Sequence, residues 1–397
     1  MREDGRRCVG RDSSAPQRFP GSGLPVRPPK STGRQPPAIS RPRPWTPLIP
    51  DGGLCAVPVP ERTLVTRILR QHWFLAALMC VAIVGARFPH PFGNYADTFD
   101  TRWAVMLIMF LNGLTLETSR LFDALRRPLI VVVGVLFSFV FAAAFGYPAS
   151  RLLMAAYPDF SVGLLVVTAM PTTLASGIIW TRMANGNDAL SMVITVVGNS
   201  ISFVLSPLIL SITLGTAVAL QPVDMMQKLF VVVVFPVAVA QALRRDRRVR
   251  ERTLRLRLPL SVLAQVVILN IVFVGIVGGM LAMKENGGVM SASALLNVVV
   301  VVVAVHLLAV AACWAGGRAV GLNRPDRLSV IFNGSQKTLP AALYVCEEFF
   351  PAYAFAPIPC VLYHVCQLVA DSWLVEWAKL RESRRVARCA EAGAEGG

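Results

Sequence analysis

Residues 295–314 read LLNVVVVVVAVHLLAVAACW. Asn297 and His306 are the only strongly polar side chains in this run, and none is charged. Six consecutive valines suggest a buried strand, because β-branched side chains favour sheets. Length decides otherwise. Strands usually hold about 3–10 residues, whereas about 20 helical residues at 1.5 Å each cross the ~30 Å of a bilayer core. In lipid the backbone must also satisfy its own hydrogen bonds, which a lone helix does and a lone strand does not. The run therefore predicts a transmembrane helix.

The same pattern recurs on both sides. Apolar spans are expected at about 72–88, 102–116, 129–147, 161–181, 190–215, 228–243, 259–281, 293–317, 328–349 and 356–378, joined by short polar loops. The whole chain is 54% hydrophobic and 16% charged, against about 25% charged in soluble domains. The net charge of +16 invites a nucleic-acid reading. Its distribution removes that reading, because ten of the 39 basic residues lie in the first 60 positions and nearly all the rest sit between apolar runs, with no aromatic interleaving. Eight scattered cysteines show neither CxxC nor metal spacing and read as small hydrophobes.

Residues 1–60 carry thirteen of the 28 prolines and no apolar run long enough to pack, so a disordered tail is expected. Glu3, Asp4 and Asp12 count against a transit peptide, and no secretory signal precedes residue 60. The transporter domain is expected over 61–382, with a cytoplasmic tail at 383–397.

Charge fixes an orientation. If the amino-terminal flank is cytoplasmic, alternate loops on that side hold 23 Lys and Arg residues, eight of them between Arg244 and Arg257. The opposite loops hold five: Arg87, Arg102, Arg151, Lys228 and Lys284. The excess faces the cytoplasm, and ten spans then put both termini there, in a bacterial plasma membrane.

Ten spans divide into two halves of five, about 72–215 and 228–378, and an odd number inverts the second half. Inverted repeats are common in secondary transporters, whose sites lie where interrupted helices meet. Two interrupted spans occupy matching positions. The fourth contains Ala169-Met-Pro171-Thr172-Thr173-Leu-Ala-Ser176-Gly177, and the ninth Asn333-Gly334-Ser335-Gln336-Lys337-Thr338-Leu339-Pro340. A single proline kink would be ordinary packing; two in register favour a cavity.

Lys337 is the one basic residue left over from tail and loops, and it falls at the centre of the ninth span. A charge at mid-bilayer costs about 2.5–3.5 kcal/mol on insertion scales, so it marks function by default. One consequence is that its ammonium stands in for a bound cation and attracts an anion. The acidic residues, Asp371 among them, read as lying at or near span ends. His364, Gln367 and Asp371 share one face of the tenth span, as a proton relay or, with more weight, an interhelical hydrogen-bond set. Asn112, Asn199 and Asn270 have the same two readings, and His306 reads as structural. No GxSxG, HExxH or Walker loop is present, which argues against an enzyme or an ATP-driven pump. No metal site or cofactor is expected.

MFLNGLTLETSRLFDALRRP, MPTTLASGIIWTRMANGNDALSMVITVVGNSISFVLSPLIL and FNGSQKTLPAAL resemble motifs of the bile acid:sodium symporter superfamily, the last being closest to its SBF-like branch. The resemblance spans about residues 65–380. It implies a panel domain and a core domain, with the fourth and ninth spans crossing in the core. It further implies a sodium-coupled organic-anion transporter. Matched by motif position, Thr172, Thr173, Ser176, Ser191, Thr195 and Gln336 would hold ions or substrate. Three departures stand out: Phe332 where the family has a glutamate, Lys337 for an asparagine, and Gly177 for an amide. Competing classes are a sodium- or proton-coupled cation exchanger and a non-transporting membrane regulator with the same fold.

Overall fold

The computed structural model describes the backbone of residues 61–116, 128–154, 156–215, 220–285 and 291–394. The expected tail at 1–60 lies outside the described residues. All regular structure among them is helical. Helix α1 is Glu61–Arg87, α2 Gly93–Thr98, α3 Thr101–Thr115 and α4 Pro128–Met154. Then follow α5 Pro158–Ala169, α6 Ser176–Met183 and α7 Asp188–Leu214. Helix α8 runs Pro222–Leu243 with a π turn at Phe230–Val234. The remaining helices are α9 Arg247–Arg255, α10 Arg257–Glu285, α11 Ala292–Ala319, α12 Arg324–Ser335, α13 Leu339–Phe349 and α14 Pro357–Ala394.

Six of these helices (α4, α7, α8, α10, α11 and α14) are long and apolar enough to cross a membrane. A bent pair at Ala76–Arg87 and His90–Thr98 makes up to seven. The chain is thus an all-α, multi-pass membrane protein. Helix also occupies the other expected ranges, as the 15-residue α3 and the interrupted pairs α5–α6 and α12–α13.

Side chains fix several helix starts. Asn187 caps α7 by accepting from Leu190 N (3.1 Å), and Asn323 caps α12 by accepting from Asp326 N (2.9 Å). The two caps are joined, because Asn187 Nδ2 donates to Asp326 Oδ1 at 2.7 Å. Asn185, at φ 58°, makes the left-handed turn between α6 and α7, a conformation asparagine tolerates.

Helix α10 packs against α1 and α3, and α3 against α8, while α4, α5, α7, α11, α12 and α14 pack around the breaks; α7 also packs along α8. Gly163 on α5 lies so close to Ala356 that a Cβ there would overlap the Ala356 carbonyl oxygen. Only glycine permits that approach.

Candidate functional site at two helix breaks

Each interrupted span fails for a local reason. Pro171 lacks an N–H and disfavours helical geometry at Met170, which is extended (φ −74°, ψ 157°). Gln336 is likewise extended (φ −74°, ψ 146°) after α12 ends, and Pro340 sits in the first turn of α13, where a missing N–H costs nothing. The two extended stretches cross. Thr338 N donates to the Pro171 carbonyl at 3.0 Å, and Gln367 on α14 supplies partners that the backbone loses between α12 and α13. Its Oε1 accepts from Lys337 N at 2.8 Å, and its Nε2 donates to Lys337 O at 3.0 Å and lies 2.8 Å from His364 Nδ1. One amide side chain thus satisfies both backbone groups that the break would leave orphaned in an apolar interior.

Gln336 joins three elements. Its Oε1 accepts from Thr173 Oγ1 (2.7 Å) and Ser176 Oγ (2.9 Å), and its Nε2 donates to Asp371 Oδ2 (2.6 Å). Asp371 is fully buried at the break rather than near a span end. The reason is that Asp371 lies one turn from Gln367 on the face of α14 that packs on the break, and α14 continues to Ala394, past the expected boundary at 378. His306 Nε2 on α11 lies 3.4 Å from Asp371 Oδ1, with its ring edge-on to Tyr363. His306, read as structural, thus faces a buried carboxylate, and neither its Nε2 nor that Oδ1 has a hydrogen bond among the described residues.

A second cluster lies beside the first. Asn333 Oδ1 accepts from Thr195 Oγ1 at 2.7 Å, and Asn333 Nδ2 donates to Ser191 Oγ (2.6 Å) and Ser329 O (2.7 Å). Asn199 Nδ2 donates to the carbonyls of Thr172 (3.0 Å) and Thr195 (2.9 Å), whereas the Thr172 hydroxyl is buried without a hydrogen bond. Lys337 is fully buried. Its Nζ donates to the Met170 carbonyl at 3.0 Å and to that of Ser138, and lies over the Phe139 ring. The Lys337 amine thus meets the carbonyl end of α5, the negative end of a helix dipole. At Gly334 a Cβ would collide with Cys313 Sγ. Asn270 is elsewhere, accepting from Tyr95 OH at 2.9 Å.

Next to the crossing is a cavity of about 120 Å³. Thr173 and Ser176 face it from the first break, and Thr338 and Pro340 from the second. Asn112, Ser261, Gln265 and His364 line the opposite walls. The amino ends of α6 and α13 therefore converge on one space. Sequence reading missed Ser261 and Gln265; their i, i+4 spacing on an otherwise apolar helix was the available signal.

Residues 72–379 match the model of the SBF-like CPA transporter family. The chain belongs to that family. This SBF-like chain is 25% identical over 335 residues to Sodium/bile acid cotransporter 7 of Danio rerio, covering 81% of the chain and 97% of the relative. It is 26% identical over 332 residues to Probable sodium/metabolite cotransporter BASS4, chloroplastic, of Oryza sativa subsp. japonica, covering 78% and 76%. Over 256 residues it is 25% identical to Uncharacterized protein YbaS of Bacillus subtilis, covering 64% and 81%. Membership identifies a membrane transporter and not an enzyme.

Proposed function

We propose that the chain is a secondary active transporter of a small organic anion, held at the crossing of the two breaks. The observation that carries this reading is the convergence of two helix amino ends, at Ser176 and Leu339, on one small cavity whose apolar walls carry a few polar side chains. Amino ends carry partial positive charge and free N–H groups, so they favour an anion. A volume of about 120 Å³ suits a small carboxylate better than a drug-sized molecule, for which pockets run about 300–1,000 Å³. The relatives' names, a sodium/bile acid and a sodium/metabolite cotransporter, support an ion-coupled organic substrate.

We read the architecture as ten spans in two inverted repeats of five, with α1, α3, α8 and α10 as the panel and the helices around the breaks as the core. Both termini are cytoplasmic in a bacterial plasma membrane on this reading, following the Lys and Arg asymmetry. Lys337 serves as a fixed cation at the carbonyl end of α5, supporting the anion field of the crossing without lining the cavity.

A proton is favoured as an alternative coupling ion by one observation. The buried His306–Asp371 pair is tied through Gln336 to Thr173 and Ser176 at the cavity. Proteoliposome uptake of short-chain carboxylates and taurocholate, with sodium and pH gradients imposed separately, tests the proposal. Accumulation driven by either gradient, and its loss in Ser261→Trp, which fills the cavity, is the expected result. Equal uptake by empty and loaded vesicles under every gradient would overturn it.

A further inference from the structure

A groove of about 560 Å³ opens between α11, α12 and α14, away from the helix breaks. One end of it is basic. Arg324 and Arg327 come from the first turn of α12, and Arg381 from α14. Arg318 stands nearby, over the ring of Trp314. Glu382 is the one carboxylate in the lining, and it is engaged by Arg324 at 3.3 Å. Arg324 also donates to Ala378 O at 2.9 Å, which fixes its guanidinium at the groove. Arg327 makes no ion pair among the described residues. Burial, with Arg318 and Arg324 alongside, holds its guanidinium below the usual value. Like charges gathered at a half-buried place are costly unless an anion offsets them.

The rest of the groove is apolar and open to the side. Leu307, Val310 and Ala311 form one wall along α11, and Leu374 stands opposite. Leu307 is 50% exposed. From Leu307 to Arg318 the helix advances about 16 Å at 1.5 Å per residue, about half a bilayer core. Trp314 and Trp377 are both partly exposed at the basic end, with the guanidinium of Arg381 only 4.1 Å from the Trp377 ring. Tryptophans at this depth mark the headgroup level of a membrane. Basic pockets between spanning helices suit anionic headgroups, and a soluble anion would have no use for the apolar wall.

We propose that this groove binds one anionic phospholipid, its phosphate on Arg324, Arg327 and Arg381 and an acyl chain along Leu307 and Val310. The site is separate from the substrate cavity and does not depend on what is transported. The bound lipid would tie α11 and α14 to the first half of the interrupted ninth span.

The test uses the full chain, delipidated in neutral detergent. It is titrated separately with phosphatidylglycerol, phosphatidylcholine and inorganic phosphate, and read by native mass spectrometry and by the thermal unfolding midpoint. Phosphatidylglycerol should leave one retained adduct and raise the midpoint, while phosphatidylcholine and phosphate do neither. The double variant Arg327→Gln/Arg381→Gln should weaken phosphatidylglycerol retention at least tenfold. Leu307→Trp should do the same by filling the apolar wall with every charge in place, and it carries the test if the double variant does not fold. Equal retention of both lipids would overturn the proposal, as would a matching shift with phosphate alone. Undiminished binding in Leu307→Trp, or a doubled mass showing the groove covered by a second copy, would also overturn it.

Discussion

Gln336→Ala is the sharpest probe of the crossing, because this one side chain holds both breaks to α14. The substitution removes the bonds from Thr173 and Ser176 and the bond to Asp371. Interhelical hydrogen bonds in membranes average about 0.6 kcal/mol, so the two hydroxyl bonds contribute about 1.2 kcal/mol. The bond to the carboxylate adds about 1.5–3 kcal/mol, as for other bonds to charged groups. The expected loss is about 3–4 kcal/mol. Reversible unfolding in mixed micelles, at fixed lipid and pH, measures it. A double-mutant cycle with Asp371→Asn isolates the pair and should show a coupling of at least about 1 kcal/mol. A loss below about 1 kcal/mol, or strict additivity, would refute the bridging role of Gln336.

Other outcomes follow from single contacts. Gly163→Ala should abolish folded, monodisperse protein, since its Cβ meets the backbone of Ala356, whereas Gly278→Ala, with nothing within 4 Å, should not. Size-exclusion profiles compare them. Gly177→Asn and Asn333→Ala should each destabilise, yet their combination should fall short of the sum by at least about 1 kcal/mol, read by the same unfolding assay. Reporter fusions at Arg252 and at the carboxyl end should read cytoplasmic, and one at Glu285 the opposite face. Lys337→Ala should abolish anion uptake, and Lys337→Arg, which keeps the charge, should retain it; uptake under matched gradients checks both.

Hydropathy made the helical, membrane-spanning class legible, because lipid leaves a long apolar run one backbone solution. The two breaks were equally legible, since Pro171 and Pro340 act locally. The His306–Asp371 contact was not. Asp371 reads as near a span end, but it lies one turn from Gln367 on the face of α14 that packs on the break. His306 showed no partner within its own helix, and its neighbour comes from a segment 65 positions away. Contacts between distant helices leave no periodic trace. Gln265 and Ser261 are different, because their common face could have been read.

The departures from the family motif form a connected set. Gly177 lacks the amide expected after Ser176, and a Cβ at Gly177 would stand 2.9 Å from Asn333 Oδ1. An amide is therefore present beside Ser191 and Thr195, but it arrives from α12 instead of the start of α6. Phe332, at the expected glutamate, turns into an apolar cluster with Cys313, Leu328 and Val375. Lys337, at the expected asparagine, brings its amine to the Met170 carbonyl. On our reading each change compensates another: losing the carboxylate removes a ligand for a mobile cation, and the lysine supplies a cation that never leaves. Bridging across the crossing then rests on side chains of this chain: Gln336 between Thr173, Ser176 and Asp371, and Asn333 between Ser191 and Thr195.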